Sequence, residues 1–385
     1  MEKNPNIKKW LLRAASYILV AALASACTMA IFCGESKLEQ LERIITNRFV
    51  GESDTTAMGD MAATGMIASL GDRWSYYIPA ADYESLMESK NNSYVGIGIT
   101  VAARTDGAGF DILRVEPGSS ALEAGILPGD VLVEVQGVSL AGLEIASPAQ
   151  YIKGEEGTQV TVTVLRGEEK LSFTAERREI KTQVAAGEML PGDVGYIKIA
   201  NFHDHCAEQT IACVEELMVQ GAKALIFDVR NNAGGYRSEL VEVLDYLLPE
   251  GELMRNMESN GRETINTSDA SCIALPMAVL INGESYSAAE FFAAALSEYG
   301  WAKTVGTPTC GKSYFQQTIR LSDGSAVSLS VGAYYTPNGV SLAEVGGLIP
   351  DVEVALDETL AAESYAGLID PMDDPQVLAA LELLG

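Results

Sequence analysis

The chain of 385 residues is 48% apolar and 21% charged, long enough for two or three domains of about 150 residues and apolar enough to bury a core in each. Its formal net charge is −27, and beyond Lys3, Lys8, Lys9 and Arg13 there is no basic cluster. Phosphate backbones are held by patches of Lys and Arg, so nucleic acid is excluded as a partner.

Ala14 to Cys33 is a stretch of twenty residues without a charge. As a helix it would rise about 30 Å, the thickness of a bilayer's hydrocarbon core. The basic residues before it keep that end in the cytoplasm. Residues 1–33 are therefore expected to form a cytoplasmic N-terminus and a transmembrane anchor, giving a single-pass cell-membrane protein whose remainder is extracytoplasmic. From Gly34 onward that remainder carries 22 Lys and Arg against 52 Asp and Glu. Ala24-Ser25-Ala26 also reads as a signal-peptide cleavage site, and Ala24-Ser25-Ala26-Cys27 faintly as a lipoprotein processing site. The apolar run continues past Cys27, which favours the anchor. Cys206, Cys213, Cys272 and Cys310 lack the paired short spacing of a zinc site, so no metal is expected. Cys206 and Cys213 are too far apart along a helix for an easy disulfide, and most of these cysteines read as small buried hydrophobes.

Residues 34–93 are expected to be helical, because Leu38, Leu41, Ile44 and Ile45, then Met58 to Leu70, recur at helical spacing. Packing or homodimerisation is the expected role. Residues 94–178 change to short strands: Gly96-Ile97-Gly98-Ile99 opens one, Phe110 to Val115 and Val131 to Val135 follow, and Val160 to Leu165 and Leu171 to Ala175 close the unit. With Glu116-Pro117-Gly118-Ser119-Ser120-Ala121 this segment resembles a PDZ domain. Consecutive N–H groups around Ile97 to Ile99 could form a nest for a terminal carboxylate while the ligand adds a strand to the sheet edge. From 179 to 356 strands alternate with longer helices, the pattern of an α/β domain. Residues 357–385 end in an amphipathic helical tail introduced by Pro375. The fold class expected is multidomain α+β.

His203 and His205 are the only histidines; they read as a solvated loop capping the next helix, and support a Ser-His-Asp triad poorly. A second constellation needs no histidine. Ser287 follows the strand ending at Ile281 and starts a helix, with Glu290 three residues on, the pattern of a capping box. That position also suits a nucleophile, since unpaired N–H groups and the macrodipole favour negative charge there. The loop Asn231 to Gly235 offers further backbone donors for an oxyanion. Lys312 lies 25 residues after Ser287 in a glycine-flanked loop. Lysine serves as a base only when desolvation lowers its pKa to about 7–8, a cost of roughly 3–5 kcal/mol to the ammonium form. Tyr314 and Phe315 could provide the burial, and Gln316 a hydrogen bond to the amine. Across an extended strand Lys312 and Gln316 are about 13 Å apart, so that contact requires a bend.

These phrases, taken in order, resemble the carboxyl-terminal processing peptidases, or tail-specific proteases. The matching segments are Gly71 to Tyr77, Gly96 to Gly98, Asp228 to Gly235, Ser285 to Glu290, Val305 to Lys312 with Gln316, Tyr335 to Gly339 and Gly347 to Asp351. The resemblance implies a crotonase/ClpP-like α/β catalytic domain, no cofactor and no metal. It implies cleavage of proteins with apolar C-termini captured by Gly96, Ile97, Gly98 and Ile99. By position it makes Ser287 the nucleophile, Lys312 the base and Gln316 the lysine-orienting amide. Backbone N–H groups of Ala288 and of Gly234 or Gly235 would hold the oxyanion. The chain departs from the family pattern at Ala233, Tyr286, Ser313 and Lys153, none of which is a catalytic group. A non-catalytic PDZ scaffold that binds C-terminal tails is the alternative reading.

Overall fold

The computed structural model describes residues 10, 15–20, 22, 23, 35–116, 118–142, 147–366 and 369–385. They divide into two compact units, residues 1–77 and 78–385.

In the first unit, helices Lys37–Arg48 and Thr55–Ala68 form a hairpin. Ser36 and Glu39 make a reciprocal capping box at the first helix, and the Asp54 carboxylate accepts the Thr56 and Ala57 N–H groups at the second. Neither helix has a buried residue. Leu38, Leu41, Ile45, Met58 and Met61 line a groove between them.

The expected transmembrane anchor is corrected. Among the described residues no helix is long and apolar enough to cross a membrane. Within 14–33 residues 15–20, 22 and 23 are described, as helix. An uncharged stretch has the right length for a span, but only a continuous helix satisfies its backbone in lipid. The single-pass cell-membrane placement falls with the anchor. Cys27, Cys33 and the expected processing sites lie outside the described residues.

In the second unit, five strands, Ile99–Ala103, Phe110–Val115, Val131–Val135, Gln159–Arg166 and Glu169–Glu176, form an antiparallel sheet, with Val138–Ser139 beside the third. Val160, Val162 and Val164 alternate inward with Phe110, Ile112 and Leu132 to make its core. The expected continuous strand at 96–99 is broken. Ser93–Gly96 pairs instead with Arg178–Lys181, and residues 97 and 98 turn out of register. Gly98 has φ of 81° and no room for a side chain against Ser119, so a glycine is required there. The Ile97 and Gly98 carbonyls accept from Ala121 and Glu116.

The larger part is built on a six-stranded sheet in the order Ala185–Leu190, Val194–Ile199, Ala224–Asp228, Met277–Ile281, Ala302–Gly306, Val352–Glu353. The first pair is antiparallel and the rest parallel. Parallel strands are covered on both faces and so read as unbroken apolar runs. Accordingly Ala224–Asp228 and Met277–Ile281 are buried at every position. Leu225, Phe227, Val279 and Ile281 face helices Cys206–Val219, Arg237–Leu247 and Ala288–Glu298. Ile226, Ala278 and Leu280 face the other way, onto Val377 and Ala380 of helix Pro375–Leu384. The segment expected as a tail therefore closes the second face of the sheet.

Gly251–Glu258, Glu263–Ser268, Tyr314–Arg320 and Ala326–Tyr335 belong to a further antiparallel sheet that sequence reasoning missed. Its signal was present in the turn Ser259-Asn260-Gly261, where Gly261 has φ of 85°.

Candidate active site

The strand Met277–Ile281 delivers its chain to a tight loop. The Ser285 hydroxyl donates to the Val229 carbonyl at 2.8 Å and accepts from the Asn282 N–H at 3.1 Å. Ser285 is fully buried and serves as a brace. Ser287 follows with φ 51° and ψ −117° at the start of helix Ala288–Glu298. An ordinary N-cap residue has extended backbone, whereas this conformation is strained for any residue but glycine. Such turns lift a side chain off the end of a strand.

Glu290 organises the loops around Ser287. Its carboxylate is fully buried in a helix that is otherwise apolar from Ala288 to Leu296. Oε2 accepts the backbone N–H of Ser287 and that of Lys312, each at 2.8 Å. Oε1 accepts the Thr309 hydroxyl at 2.6 Å and the Gly311 N–H at 2.7 Å. One side chain therefore fixes two segments more than twenty residues apart. The bond to Ser287 fits the expected capping box. The three bonds to the 309–312 loop were missed, and the signal was a lone acid inside an apolar helical run.

The second loop, Arg230 to Gly235, packs directly on the first. Asn231 and Asn282 are cross-linked, the Asn231 N–H donating to Asn282 Oδ1 and Asn282 Nδ2 to Asn231 Oδ1. Gly234 has φ of 88°, and a Cβ there would lie 2.8 Å from the Tyr286 carbonyl and 3.0 Å from both Ser287 Cβ and the Ala288 nitrogen. The Gly234 N–H is given to Asn232 Oδ1 at 2.8 Å. Gly235 runs so close to Phe202 that no side chain fits.

Beneath this loop Arg230 is buried and binds three partners. It donates to both Asp228 oxygens, to Asp374 Oδ2 at 2.7 Å and to Gln376 Oε1 at 2.7 Å. Burial alone would raise the Asp228 pKa, but Arg230 and the Tyr196 hydroxyl 2.6 Å away outweigh it and hold the carboxyl below its ordinary value. Burial and then Asp228 push the Tyr196 phenol up. The Asp374 and Gln376 partnership was missed because no local pattern connects residues so far apart.

The predicted site residues thus fall into three groups. Ser287, Ala288, Gly234, Gly235 and the backbone of Lys312 are brought together. Lys312 is half-buried, Tyr314 is exposed rather than covering, and Phe315 stacks on Tyr334 at 4.7 Å. Gln316 lies on strand Tyr314–Arg320 just past a bulge, with Nε2 donating to the Tyr314 carbonyl and Ser330 Oγ. Gly96 ends the strand that pairs with Arg178–Lys181, Ile99 begins the five-stranded antiparallel sheet, and Ile97 between them is part of that sheet's core. His203 packs on Tyr236, and burial together with Lys90 lowers its pKa. His205 sits at the start of helix Cys206–Val219 without the expected side-chain cap. Cys206 is buried as expected, but Cys272 is exposed.

Residues 193–354 match the model of peptidase family S41, and residues 112–166 match that of the PDZ domain. The chloroplastic carboxyl-terminal-processing peptidase 2 of Arabidopsis thaliana is 30% identical over 356 residues, 88% of this chain and 68% of that protein. The carboxy-terminal processing protease CtpA of Bacillus subtilis is 30% identical over 361 residues, 89% of this chain and 76% of the relative. A probable CtpA-like serine protease of Staphylococcus aureus is 29% identical over 345 residues, 88% of this chain and 68% of the relative. The chain is a serine-type peptidase and belongs to peptidase family S41, with the carboxyl-terminal processing proteases.

Proposed function

We propose that this peptidase works with a Ser-Lys pair, in which Ser287 is the nucleophile and Lys312 the general base. The observation that carries the reading is the shared Glu290 oxygen. Two N–H groups at 2.8 Å from one atom keep the Ser287 and Lys312 backbones within twice that distance of each other. In the reaction the Ser287 oxygen attacks the scissile carbonyl carbon and its proton passes to the neutral Lys312 amine. The tetrahedral oxyanion is held by the N–H groups of Ala288 and the 234–235 pair. Because Gly234 already donates to Asn232, Gly235 is the better donor of the two. The intermediate collapses by breaking the C–N bond, and the leaving amine takes the proton back from Lys312. Water, deprotonated by Lys312, then hydrolyses the acyl-enzyme. Gln316 would orient the lysine by accepting from it through its oxygen, a role supported by its Nε2 being held on Tyr314 and Ser330.

The PDZ domain would receive an apolar C-terminal tail near Gly96 to Ile99 and add it to the sheet edge. Incubating the full chain with proteins that differ only in their last residues, and mapping products by mass spectrometry, tests both assignments. Ser287→Ala and Lys312→Arg should each lower kcat by about a thousandfold or more, since arginine cannot act as a base. Turnover in Ser287→Ala equal to that of the parent chain sinks the nucleophile assignment. Tail binding without turnover in the parent chain would favour the scaffold reading.

A further inference from the structure

A cavity of about 660 Å³ adjoins this reaction centre, with Tyr236, Arg237, Asn256, Phe315, Gln316 and Tyr334 in its wall. Two of these tie it to the chemistry: Tyr236 directly follows Gly235, and Gln316 is the proposed lysine-orienting amide. Phe315 and Tyr334 stack with an interplanar angle of 21° and give the cavity a flat apolar side. Beside Tyr334, across the strand pair, the wall turns polar at Asn256. Arg237 is exposed and donates from Nη1 to Asn256 Oδ1 at 2.8 Å. Asn256 is buried, so a neutral, fixed amide orients the guanidinium without cancelling its charge.

Most other arginines are neutralised by an acid, although Arg177 donates to backbone carbonyls and Thr158 and Arg320 lies over the Tyr83 ring. Arg104, Arg166, Arg178, Arg230 and Arg255 each hold a carboxylate. Arg237 holds none within ion-pair distance among the described residues. The acid that shares its cavity, Glu258, lies 3.7 Å from Arg262. In a chain of net charge −27, an arginine kept clear of acids beside the reaction centre is placed to receive one. Its remaining N–H groups present the planar fork that matches a carboxylate.

We propose that this cavity is a specificity subsite in which Arg237 binds a carboxylate of the substrate next to the scissile bond. The carboxylate comes either from an Asp or Glu side chain or from the free C-terminus of a short segment being removed. The inference rests on the Ser-Lys reading, because that reading places the scissile bond beside Gln316.

The test uses the full chain and a peptide series carrying Glu, Gln or Lys at each of three positions on either side of the scissile bond, each as free acid and as amide. For a side-chain carboxylate, kcat/KM should favour Glu over Gln by about 10- to 100-fold at one position in both terminal forms. For a terminal carboxylate, the free acid should exceed the amide by a similar factor whatever the side chain. In Arg237→Ala the ratio should fall toward one, and in Arg237→Glu it should turn in favour of Lys. Arg237→Lys should keep part of the preference. A parent chain with no acid preference at any position overturns the subsite, as does a preference that survives in both Arg237→Ala and Arg237→Glu. Cleavage persisting in Ser287→Ala would instead strike the nucleophile assignment and leave the Arg237 ratios readable.

Discussion

Ser287 and Lys312 donate their backbone N–H groups to one and the same Glu290 oxygen, and the loop carrying Lys312 is held by the other oxygen as well. Glu290→Gln keeps the volume but turns an NH₂ group toward donors that need an acceptor. The variant should lose about 2–4 kcal/mol of stability, for two or so charge-assisted bonds broken in a buried place. It should lose at least about a hundredfold in kcat, because the two loops would no longer share a fixed point. Thermal unfolding beside kcat and KM measures both effects. A variant that melts lower but turns over normally would remove the positioning role.

Glycine positions separate close approach from idle flexibility. A Cβ on Gly234 would sit 2.8–3.0 Å from backbone atoms of residues 286 and 288, at a φ that side chains rarely adopt. Gly234→Ala should therefore displace the Ser287 turn and reduce kcat by about a hundredfold or more. Gly283 lies four residues before Ser287, yet a Cβ there would meet only the Pro308 carbonyl at 3.8 Å. Gly283→Ala should leave kcat within about twofold, as expected for a substitution that meets no strain.

Acid should weaken the Arg230 network. The Asp228 pKa is lowered in the folded protein, while an unfolded aspartate titrates near about 3.9. Its contribution to stability is then complete above that value and is lost as pH falls through the lower folded one. Asp228→Asn should flatten the acid limb of stability below about pH 4. At neutral pH it should cost about 3–5 kcal/mol, because Arg230 is left buried without its nearest counter-charge. Urea unfolding between pH 3 and pH 7 gives both numbers. An acid limb unchanged in the variant would falsify the linkage.

The end of the chain should matter as much as its middle. Val377 is fully buried against the face formed by Ile226, Ala278 and Leu280. Val377→Asp places a carboxylate in that layer and should cost several kcal/mol, enough to unfold a marginal domain. Leu383, on the exposed side of the same helix, should tolerate Asp within about 0.5 kcal/mol. Comparing the two variants by circular dichroism checks which side of the helix carries the packing.

Legibility followed the range of the interactions. The buried strands Ala224–Asp228 and Met277–Ile281 were readable because parallel strands covered on both faces leave continuous apolar runs. Gly251–Glu258 and Tyr314–Arg320 were not, since Asn256, Gln316 and Gln317 interrupt any apolar pattern. Ser287 could be singled out by its place before a helix, but its strained backbone could not, because φ there depends on the packing of Gly234. Glu290 looked like a cap, since only its contact three residues away is local. The expected membrane helix rested on length alone, and among the described residues no helix is long and apolar enough to cross a membrane.

Arg230 begins the loop that reaches Gly235, yet its Asp374 partner arrives 144 residues later in the chain. During synthesis the Ser287 and Lys312 segments emerge before this counter-charge does. A growing chain therefore holds Arg230 with Asp228 as its counter-charge alone until Asp374 and Gln376 arrive with the helix Pro375–Leu384. The loop that reaches Gly235 thus gains its last support late, by the order in which its partners are made.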